Sequence, residues 1–204
     1  MTSRRRLEGG RGLYQGDEAF IDQGESFQSR RPVDQTGAVF SNVPYYALFN
    51  AGAVTANRAL FHSVPAQSTD YVISAARIRV SVGNAGDNAR TAIFTFDPRE
   101  RIFVRIPGSE ALFDSTTAGL IEADLPREVR LVAGRPYFVA FKSSSATPTY
   151  ALFATGNDLL NRLHLSGSAG ALPSTVKLSE LTRAATGSGC PGVAYLSSLW
   201  KDVL

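Results

Sequence analysis

The sequence predicts an all-β protein, an antiparallel β-sandwich of jelly-roll-like type preceded by an extended N-terminal arm. Short apolar segments with a two-residue period recur along the chain, turn signals separate them roughly every ten residues, and helical periodicity is almost absent. The 204 residues include 18 glycines and 10 prolines but only one methionine and one tryptophan, which is typical of a turn-rich β protein. We expect an arm over residues 1–37 and a β-sandwich domain over residues 38–204.

Composition narrows the classes of function. The net charge is only +3, and opposite charges are interspersed, which argues against a nucleic-acid partner. No apolar run approaches the roughly 20 residues of a membrane span, and no apolar stretch follows the basic start, so neither a span nor a secretory signal is expected. The single cysteine, Cys190, excludes an internal disulfide and fits a reducing compartment. Its glycine-rich loop is compatible with an exposed thiol, but no basic neighbour would activate it.

Residues 1–37 have the composition of an arm. Apolar side chains occur singly there and cannot bury enough surface to offset the entropy of ordering the segment. We expect the arm to dock on a neighbouring subunit, and folding back on its own domain is the alternative. The residues expected to dock are Arg4, Arg5, Arg6, Leu13, Tyr14, Phe20, Ile21 and Phe27.

The β domain begins with three candidate strands. Residues 38–50 are apolar but contain Pro44, which cannot donate to a β-ladder, so they predict an edge strand or an extended connector. Residues 53–64 alternate towards their end and predict a strand that stops before Pro65. Residues 71–82 alternate throughout, which predicts a half-buried antiparallel strand with one solvated face. Its inward side chains are expected to be Ala76, Ile78, Val80 and Val82.

The middle of the chain predicts a loop, a hairpin and a long connection. Residues 83–88 are rich in glycine and asparagine and predict the loop. Residues 90–96 and 101–106 predict the two strands of a hairpin. Residues 110–126 predict a longer connection with one weak strand near Gly119.

Residues 128–142 form the clearest strand pair of the sequence. The first half alternates, a Gly/Pro turn signal follows at 133–136, and the second half, 137–141, is apolar and rich in β-forming residues. This pattern predicts a hairpin with a tight connection.

The last third predicts strands at 149–154, 159–165 and 193–199, separated by polar or glycine-rich loops. Residues 176–183 fit either a helical turn or a strand. The sequence shows no internal repeat and no further domain boundary.

No motif predicts catalysis, and we expect no cofactor and no metal. His62 and His164 stand in strand-like contexts, without the pattern of a Ser–His–acid triad. Asn84, Asp87 and Asn88 offer oxygen ligands of the kind that calcium uses, but Asx-rich turns contain the same residues for conformational reasons. The turn interpretation is favoured.

Six segments between residues 51 and 198 together form a characteristic succession of short strands and small-residue loops. They are Ala53-Val-Thr-Ala-Asn-Arg-Ala-Leu-Phe-His-Ser-Val-Pro, Ile78-Arg-Val-Ser-Val, Gly86-Asp-Asn-Ala-Arg followed by Thr91-Ala-Ile-Phe, Glu128-Val-Arg-Leu-Val-Ala-Gly-Arg-Pro-Tyr-Phe-Val-Ala, Ala171-Leu-Pro-Ser-Thr-Val and Cys190-Pro-Gly-Val-Ala-Tyr-Leu. This pattern resembles a jelly-roll module found in tail, fibre and head-decoration proteins of tailed bacteriophages. The chain departs from the module at Phe94, where tyrosine is commoner, and in its long arm.

The resemblance implies a virion structural protein without catalytic residues, made in the host cytoplasm. We expect a head decoration (cement) or minor capsid protein that forms a homo-oligomer, with a trimer as the favoured state. Its expected partners are other capsid or tail subunits, and no membrane association is expected. The alternative is a receptor- or glycan-binding module of a tail fibre or short tail. Its aromatic platform for sugars would be Tyr45, Tyr46, Tyr150 and Trp200. A small hydrolase on the same scaffold ranks third.

Overall fold

The computed structural model describes residues 38–42, 49–64, 67–153, 163–167, 170–183 and 189–197. The predicted arm lies outside these residues. The described chain forms fifteen strands and one 3-10 turn, Leu178–Glu180. The strands are β1 (Ala38–Ser41), β2 (Phe49–Ala53), β3 (Ala59–Val64), β4 (Tyr71–Val82), β5 (Asn88–Asp97), β6 (Ile102–Arg105), β7 (Ala111–Asp114), β8 (Gly119–Leu131), β9 (Tyr137–Ser143), β10 (Thr149–Phe153), β11 (Leu163–Leu165), β12 (Thr175–Lys177), β13 (Thr182–Arg183), β14 (Cys190–Pro191) and β15 (Val193–Leu196).

The strands form two sheets, and every pairing among them is antiparallel. Sheet A has seven strands in the order β1-β15-β4-β10-β14, with β8 also paired to β4 and β2 to β10. Sheet B has eight strands in the order β12-β6-β5-β9-β3-β11-β13, with β7 also paired to β5. The predicted all-β class and antiparallel sandwich are therefore confirmed.

Most consecutive strands belong to different sheets. The chain changes sheet after β2, β3, β4, β7, β8, β9, β10 and β13, and it stays in sheet B from β5 to β7 and from β11 to β13. The hairpin predicted for residues 90–96 and 101–106 is confirmed, because β5 and β6 pair with Phe94 opposite Arg105. The β4–β5 and β7–β8 connections, which both cross between the sheets, pack backbone against backbone. A Cβ on Gly83 would lie 2.3 Å from the Thr116 carbonyl oxygen, so this approach requires glycine.

The hairpin predicted over residues 128–142 is wrong in its connection, although both strands exist. β8 pairs with β4 in sheet A, whereas β9 pairs with β3 and β5 in sheet B. The Gly/Pro turn therefore carries the chain from one sheet into the other. The Tyr137 hydroxyl holds this corner by accepting the Val132 N–H at 2.7 Å, and Gly134 supplies a φ of +74°. The turn signal predicts the bend but not the partner of the strand that follows it.

The prediction for residues 110–126 is confirmed for the weak strand near Gly119, where β8 begins, but it is wrong for the rest, because the segment also contains β7 and the rest of the first half of β8. β8 pairs with β4 from Tyr71 opposite Leu131 to Val80 opposite Gly119, with a shift in register between. Few of its side chains are buried, so its apolar period is weak. Pro126 lies at the register shift, where residues 125–128 have no paired residue in the described strand β4, so its missing N–H removes no bond from the ladder.

The main core lies between the sheets. In β5, Ala89 and Ile93 belong to this core, whereas Ala92 and Phe94 belong to a second cluster on the opposite face of sheet B. The expectation for β4 is confirmed for Ala76, Ile78 and Val80, but Val82 is 57% exposed at the end of the strand. The largest fully buried side chains of the main core are Tyr150, Tyr195, Phe113, Phe141, Ile73, Ile78, Ile93 and Leu131.

A hydrogen bond joins the two sheets inside the main core. The Tyr195 hydroxyl of β15 lies 3.0 Å from Thr91 Oγ1 of β5. Thr91 donates to the Ala140 carbonyl at 2.9 Å, so the tyrosine is the donor in this pair. Burial raises the pKa of Tyr195 far above its ordinary value, so the phenol stays protonated. The hydroxyl chain ties β15, β5 and β9 together.

The second core is covered by residues 170–183, which we call the closing segment. Leu172 and Val176 of this segment are buried against the outer face of sheet B. The Phe61 ring lies 5.0 Å from the Phe94 ring and 5.6 Å from the Phe103 ring between centroids. Both faces of the central strands of sheet B are therefore apolar and buried.

The closing segment also joins the two edges of sheet B. β12 pairs with β6 at one end of the sheet, and β13 pairs with β11 at the other. The five residue steps from Lys177 to Thr182 span at most about 17 Å. The six strand spacings between β12 and β13 would span about 29 Å in a flat sheet. Sheet B must therefore curl around its second core. Residues 176–183, for which the sequence fits either a strand or a helical turn, contain both: the end of β12, the 3-10 turn and β13.

We expect Tyr195→Phe to lower the free energy of unfolding by about 1 kcal/mol, because it removes the hydrogen bond between the sheets. Equilibrium unfolding in urea measures the change. The matched control is Tyr71→Phe on the partly exposed start of β4, with a change within about 0.5 kcal/mol. Equal losses in the two variants would contradict a specific contribution from the Tyr195 hydroxyl.

Candidate docking groove

A cleft of about 560 Å³ opens where an edge of sheet A meets an edge of sheet B. Its walls are formed chiefly by β7 and β8, which are consecutive in the chain. We call it the edge groove, and its lining residues are Arg90, Glu110, Leu112, Asp114, Ile121, Glu122, Ala123, Asp124 and Pro126. Leu112 is 51% exposed, so the groove presents apolar surface to solvent as well as charge.

Both strands that border the edge groove are edge strands in the described part of the chain. β7 pairs only with β5, and β8 pairs only with β4. The outward side chains of β8 from Leu120 to Asp124 are exposed, including Leu120 itself at 43%. An edge strand directs backbone N–H and C=O groups away from its sheet, so it can pair with an extended segment of another chain.

The charge of the edge groove is mainly negative. Its charged lining residues are Glu110, Asp114, Glu122, Asp124 and Arg90. Glu122 accepts a hydrogen bond from Arg77 at 2.9 Å, but its side chain remains 38% exposed. Hydrogen bonds from the side chain and backbone of Thr116 hold the pKa of Asp114 below its usual value, so this carboxylate is ionised at neutral pH. The groove therefore favours a basic ligand.

Glu110 belongs both to the edge groove and to the anchor of the closing segment. Its carboxylate accepts from Arg90 at 3.2 Å and also from Arg105. It accepts the Leu172 N–H at 2.8 Å, while Arg105 donates to the Leu172 carbonyl at 2.6 Å. One carboxylate thus fixes the closing segment on sheet B and one wall of the groove at the same time.

Lys142 adds a third cation to this cluster. It is only 3% exposed, and its ammonium donates to the Gly170 carbonyl at the start of the closing segment. Burial, and then the charge of Arg90, lower the pKa of Lys142, whereas Glu110 raises it. The cluster depends on Glu110 because that carboxylate is the negative charge shared by these cations.

Tyr150 is not part of a surface platform for sugars. Its side chain is 1% exposed in the main core, and its hydroxyl lies 2.9 Å from Ser143 Oγ and 3.1 Å from Ser115 Oγ. A buried ring offers no face for stacking, so this residue is corrected to a structural position. The other platform residues, Tyr45, Tyr46 and Trp200, lie outside the described residues, as do all the arm residues from Arg4 to Phe27.

The two histidines lie on neighbouring strands. His62 is on β3, and His164 of β11 is paired with Leu60 of β3. Both are buried. Burial, and then the charge of Arg58, lower the pKa of His164, so the ring is neutral at pH 7. Its Nδ1 atom has no hydrogen-bond partner within the described ranges, whereas a triad histidine is oriented there by a carboxylate.

The Asx-rich loop between β4 and β5 is a hydrogen-bonded turn. Asn84 Nδ2 donates to Asp87 Oδ2 at 2.6 Å, and the Asp87 N–H donates to the Asn84 carbonyl at 3.2 Å. Hydrogen bonds, first from Asn84, hold the pKa of Asp87 below its usual value. In the part of the chain that the structure covers, no group of three or more His, Cys, Asp or Glu residues is placed to hold a metal. The local bonds account for these residues as turn formers.

A second cleft, of about 620 Å³, lies beside the β5–β6 turn. Its acidic residue, Asp97, accepts the backbone N–H groups of Arg99 at 2.8 Å and Glu100 at 3.2 Å. This carboxylate caps the turn.

Cys190 is buried, although its glycine-rich loop is compatible with an exposed thiol. It is 7% exposed and lies beneath Asn42, whose Nδ2 donates to the Pro191 carbonyl at 3.0 Å. Burial raises the pKa of the Cys190 thiol to about 12. The same asparagine accepts the Val193 N–H at 2.7 Å and so holds β14 and β15 against the end of β1.

Sequence interpretation missed the edge groove, because it treated residues 110–126 as a connection. The alternation of buried Ala111 and Phe113 with exposed Leu112 and Asp114 is a two-residue period that predicts β7. No local signal places these residues beside Arg90, since that proximity arises from pairing between β5 and β7.

The geometry defines an antiparallel β-sandwich with a negatively charged groove between two sheet edges. Compared with known proteins, neither a family model nor a curated protein matches this chain. No helix in the described ranges has the length and apolar character needed to cross a membrane.

We expect Glu110→Gln to lower the free energy of unfolding by about 2 kcal/mol, because Arg90, Arg105 and Lys142 lose their shared counter-charge. The loss is smaller than for a fully buried pair, since the Arg90 side chain is still 25% exposed. Urea unfolding measures stability, and tryptic cleavage after Lys177 measures release of the closing segment. Glu122→Gln, which breaks a single exposed pair, is the control and should cost at most about 0.5 kcal/mol. Equal effects would contradict the anchoring role of Glu110.

We expect native Cys190 to react with a thiol-specific disulfide reagent on the order of a thousandfold more slowly than in the urea-unfolded chain at neutral pH. The reason is that its raised pKa leaves almost no thiolate in the folded protein. Absorbance of the released reagent anion gives both rates. A native rate close to the unfolded rate would show that the thiol is exposed.

Proposed function

We propose that this protein is a non-enzymatic structural protein of a tailed-bacteriophage virion, a head decoration or minor capsid protein that docks on its neighbours through its N-terminal arm. The resemblance of residues 51–198 to phage jelly-roll modules supports the virion assignment. The homo-oligomeric state, with capsid or tail subunits as partners, belongs to the same proposal.

The observation that carries the structural role is the use of polar side chains inside the fold. Tyr195 and Tyr150 bond across the main core, and Glu110 anchors the closing segment. These groups are engaged in holding sheets and segments together, an arrangement suited to a rigid body. The edge groove lies between two sheet edges and is open to solvent, which suits contact with another chain better than an enclosed reaction.

The mechanism is mechanical. The sandwich acts as a stiff body on the assembly, and the arm extends to a neighbouring subunit and adds contacts that separation must break. The arginines at positions 4–6 supply electrostatic attraction, and the spaced apolar residues of the arm supply buried surface. The alternative, a receptor- or glycan-binding module, loses Tyr150 from its platform and rests on Tyr45, Tyr46 and Trp200.

We expect deletion of residues 1–37 to leave a folded, soluble sandwich that no longer associates, because all the paired strands of the described chain, from β1 onward, are kept. Light scattering compares the molar masses of the full and shortened chains, and urea unfolding tests the fold of both. Loss of folding on deletion would contradict the separation of arm and domain. Equal association of the two chains would assign the interface to the sandwich instead.

A further inference from the structure

We propose that the edge groove receives residues 4–14 of the N-terminal arm of a second copy of this chain. This inference rests on the proposed function, in which the arm docks between subunits, and it names the acceptor surface. The occupant is an extended, arginine-rich segment that lies along β8 and directs basic side chains at the carboxylates of the groove.

Charge complementarity identifies the segment. The groove is lined by four carboxylates and one guanidinium. Two of the carboxylates, Glu110 and Glu122, also accept from Arg105 and Arg77, respectively, at its border, so the surplus negative charge is modest. Residues 4–14 contain four arginines and a single acid, Glu8, whereas residues 17–25 contain four acids and no basic residue. The groove attracts the first stretch and repels the second, so the docked part of the arm is its beginning.

Apolar surface adds to this match. Leu112 is 51% exposed on one wall, and Ile121 and Ala123 line the other. Leu7 and Leu13 stand on either side of Arg11 in the arm, so an extended segment carries aliphatic side chains among its charges. Burial of these side chains against the groove contributes affinity that salt does not screen.

The backbone of β8 offers the third element of recognition. No described strand pairs with its edge opposite β4, and residues 119–125 contain no proline, so each residue carries an N–H. An extended segment gains main-chain hydrogen bonds by adding to such an edge. Pro126 cannot donate and sets the limit of that added strand.

The length of the arm allows it to reach a second copy. Residues 15–37 lie between the proposed docking segment and β1, and 23 extended residues span at most about 80 Å. A compact domain of this size has a radius of gyration of about 15 Å. The linking residues are therefore long enough to pass from one sandwich to a neighbouring one.

The test reverses charge on each side of the contact in the full-length chain. One variant carries Glu122→Lys and Asp124→Lys in the groove, a second carries Arg4→Glu, Arg5→Glu and Arg6→Glu in the arm, and a third combines all five changes. The matched control, Glu100→Lys with Glu180→Lys, reverses two exposed carboxylates outside the groove. Light scattering over a range of protein and salt concentrations gives the dissociation constant of self-association.

We expect each one-sided reversal to weaken self-association about tenfold or more, and the combined variant to recover most of the loss, since the charges again attract. The control should change the constant less than threefold on the same scale. Rescue by the combined variant also shows that the one-sided variants failed by repulsion and not by misfolding. Added salt should weaken the wild-type association.

Other outcomes separate this inference from the function on which it rests. If deletion of residues 1–37 abolishes association but reversal in the groove leaves it unchanged, the arm docks elsewhere and only the groove assignment is overturned. If deletion leaves association unchanged, the proposed arm docking fails as well. A full-length chain that stays monomeric, with its arm protected from trypsin until the groove charges are reversed, would show docking within one chain and overturn the second copy as the source.

Discussion

The curl of sheet B is the constraint on which the rest of the structure depends. The short link from Lys177 to Thr182 cannot span the width of a flat sheet, so the two edges of sheet B must approach each other. Curling gives this sheet an enclosed face with its own core, while its other face packs on sheet A. It explains why β9 is buried along almost its whole length, since an antiparallel strand with one solvated face would alternate.

The Glu110 cluster links that constraint to the edge groove. Arg105 and Leu172 meet at Glu110, so the carboxylate that holds the closing segment also holds a wall of the groove. The walls of the groove are therefore formed by β7 and β8, which are paired in sheets, and not by an unpaired loop. A surface that is already ordered loses less conformational entropy when a segment binds, which favours docking at this groove. The same rigidity suits a protein whose proposed role is to hold neighbouring subunits together.

Local sequence pattern predicted several of the strands that have one continuous, buried face. The alternation of Ala76, Ile78 and Val80 predicted β4, and the apolar segments before and after Asp97 predicted the β5–β6 hairpin, because both are set by neighbours close in sequence. It found the two ends of β8, the weak strand near Gly119 and the alternation from residue 128, but it treated residues 110–126 as a connection and so missed the middle of the strand. It also failed for Tyr150 and left the exposure of Cys190 open, since a tyrosine or cysteine carries no sign of whether another sheet covers it.

The sequence by itself determined the all-β class, the positions of most strands and the bend at Gly134, because side-chain alternation and turn chemistry are local properties. Only the tertiary structure decided that β8 and β9 join different sheets, that the closing segment curls sheet B, and that Glu110 meets both Arg90 and Arg105. These relations join residues far apart in the chain through strand pairing and the limited reach of a short link. Such partners are chosen by the packing of the whole domain, and no single segment carries the information.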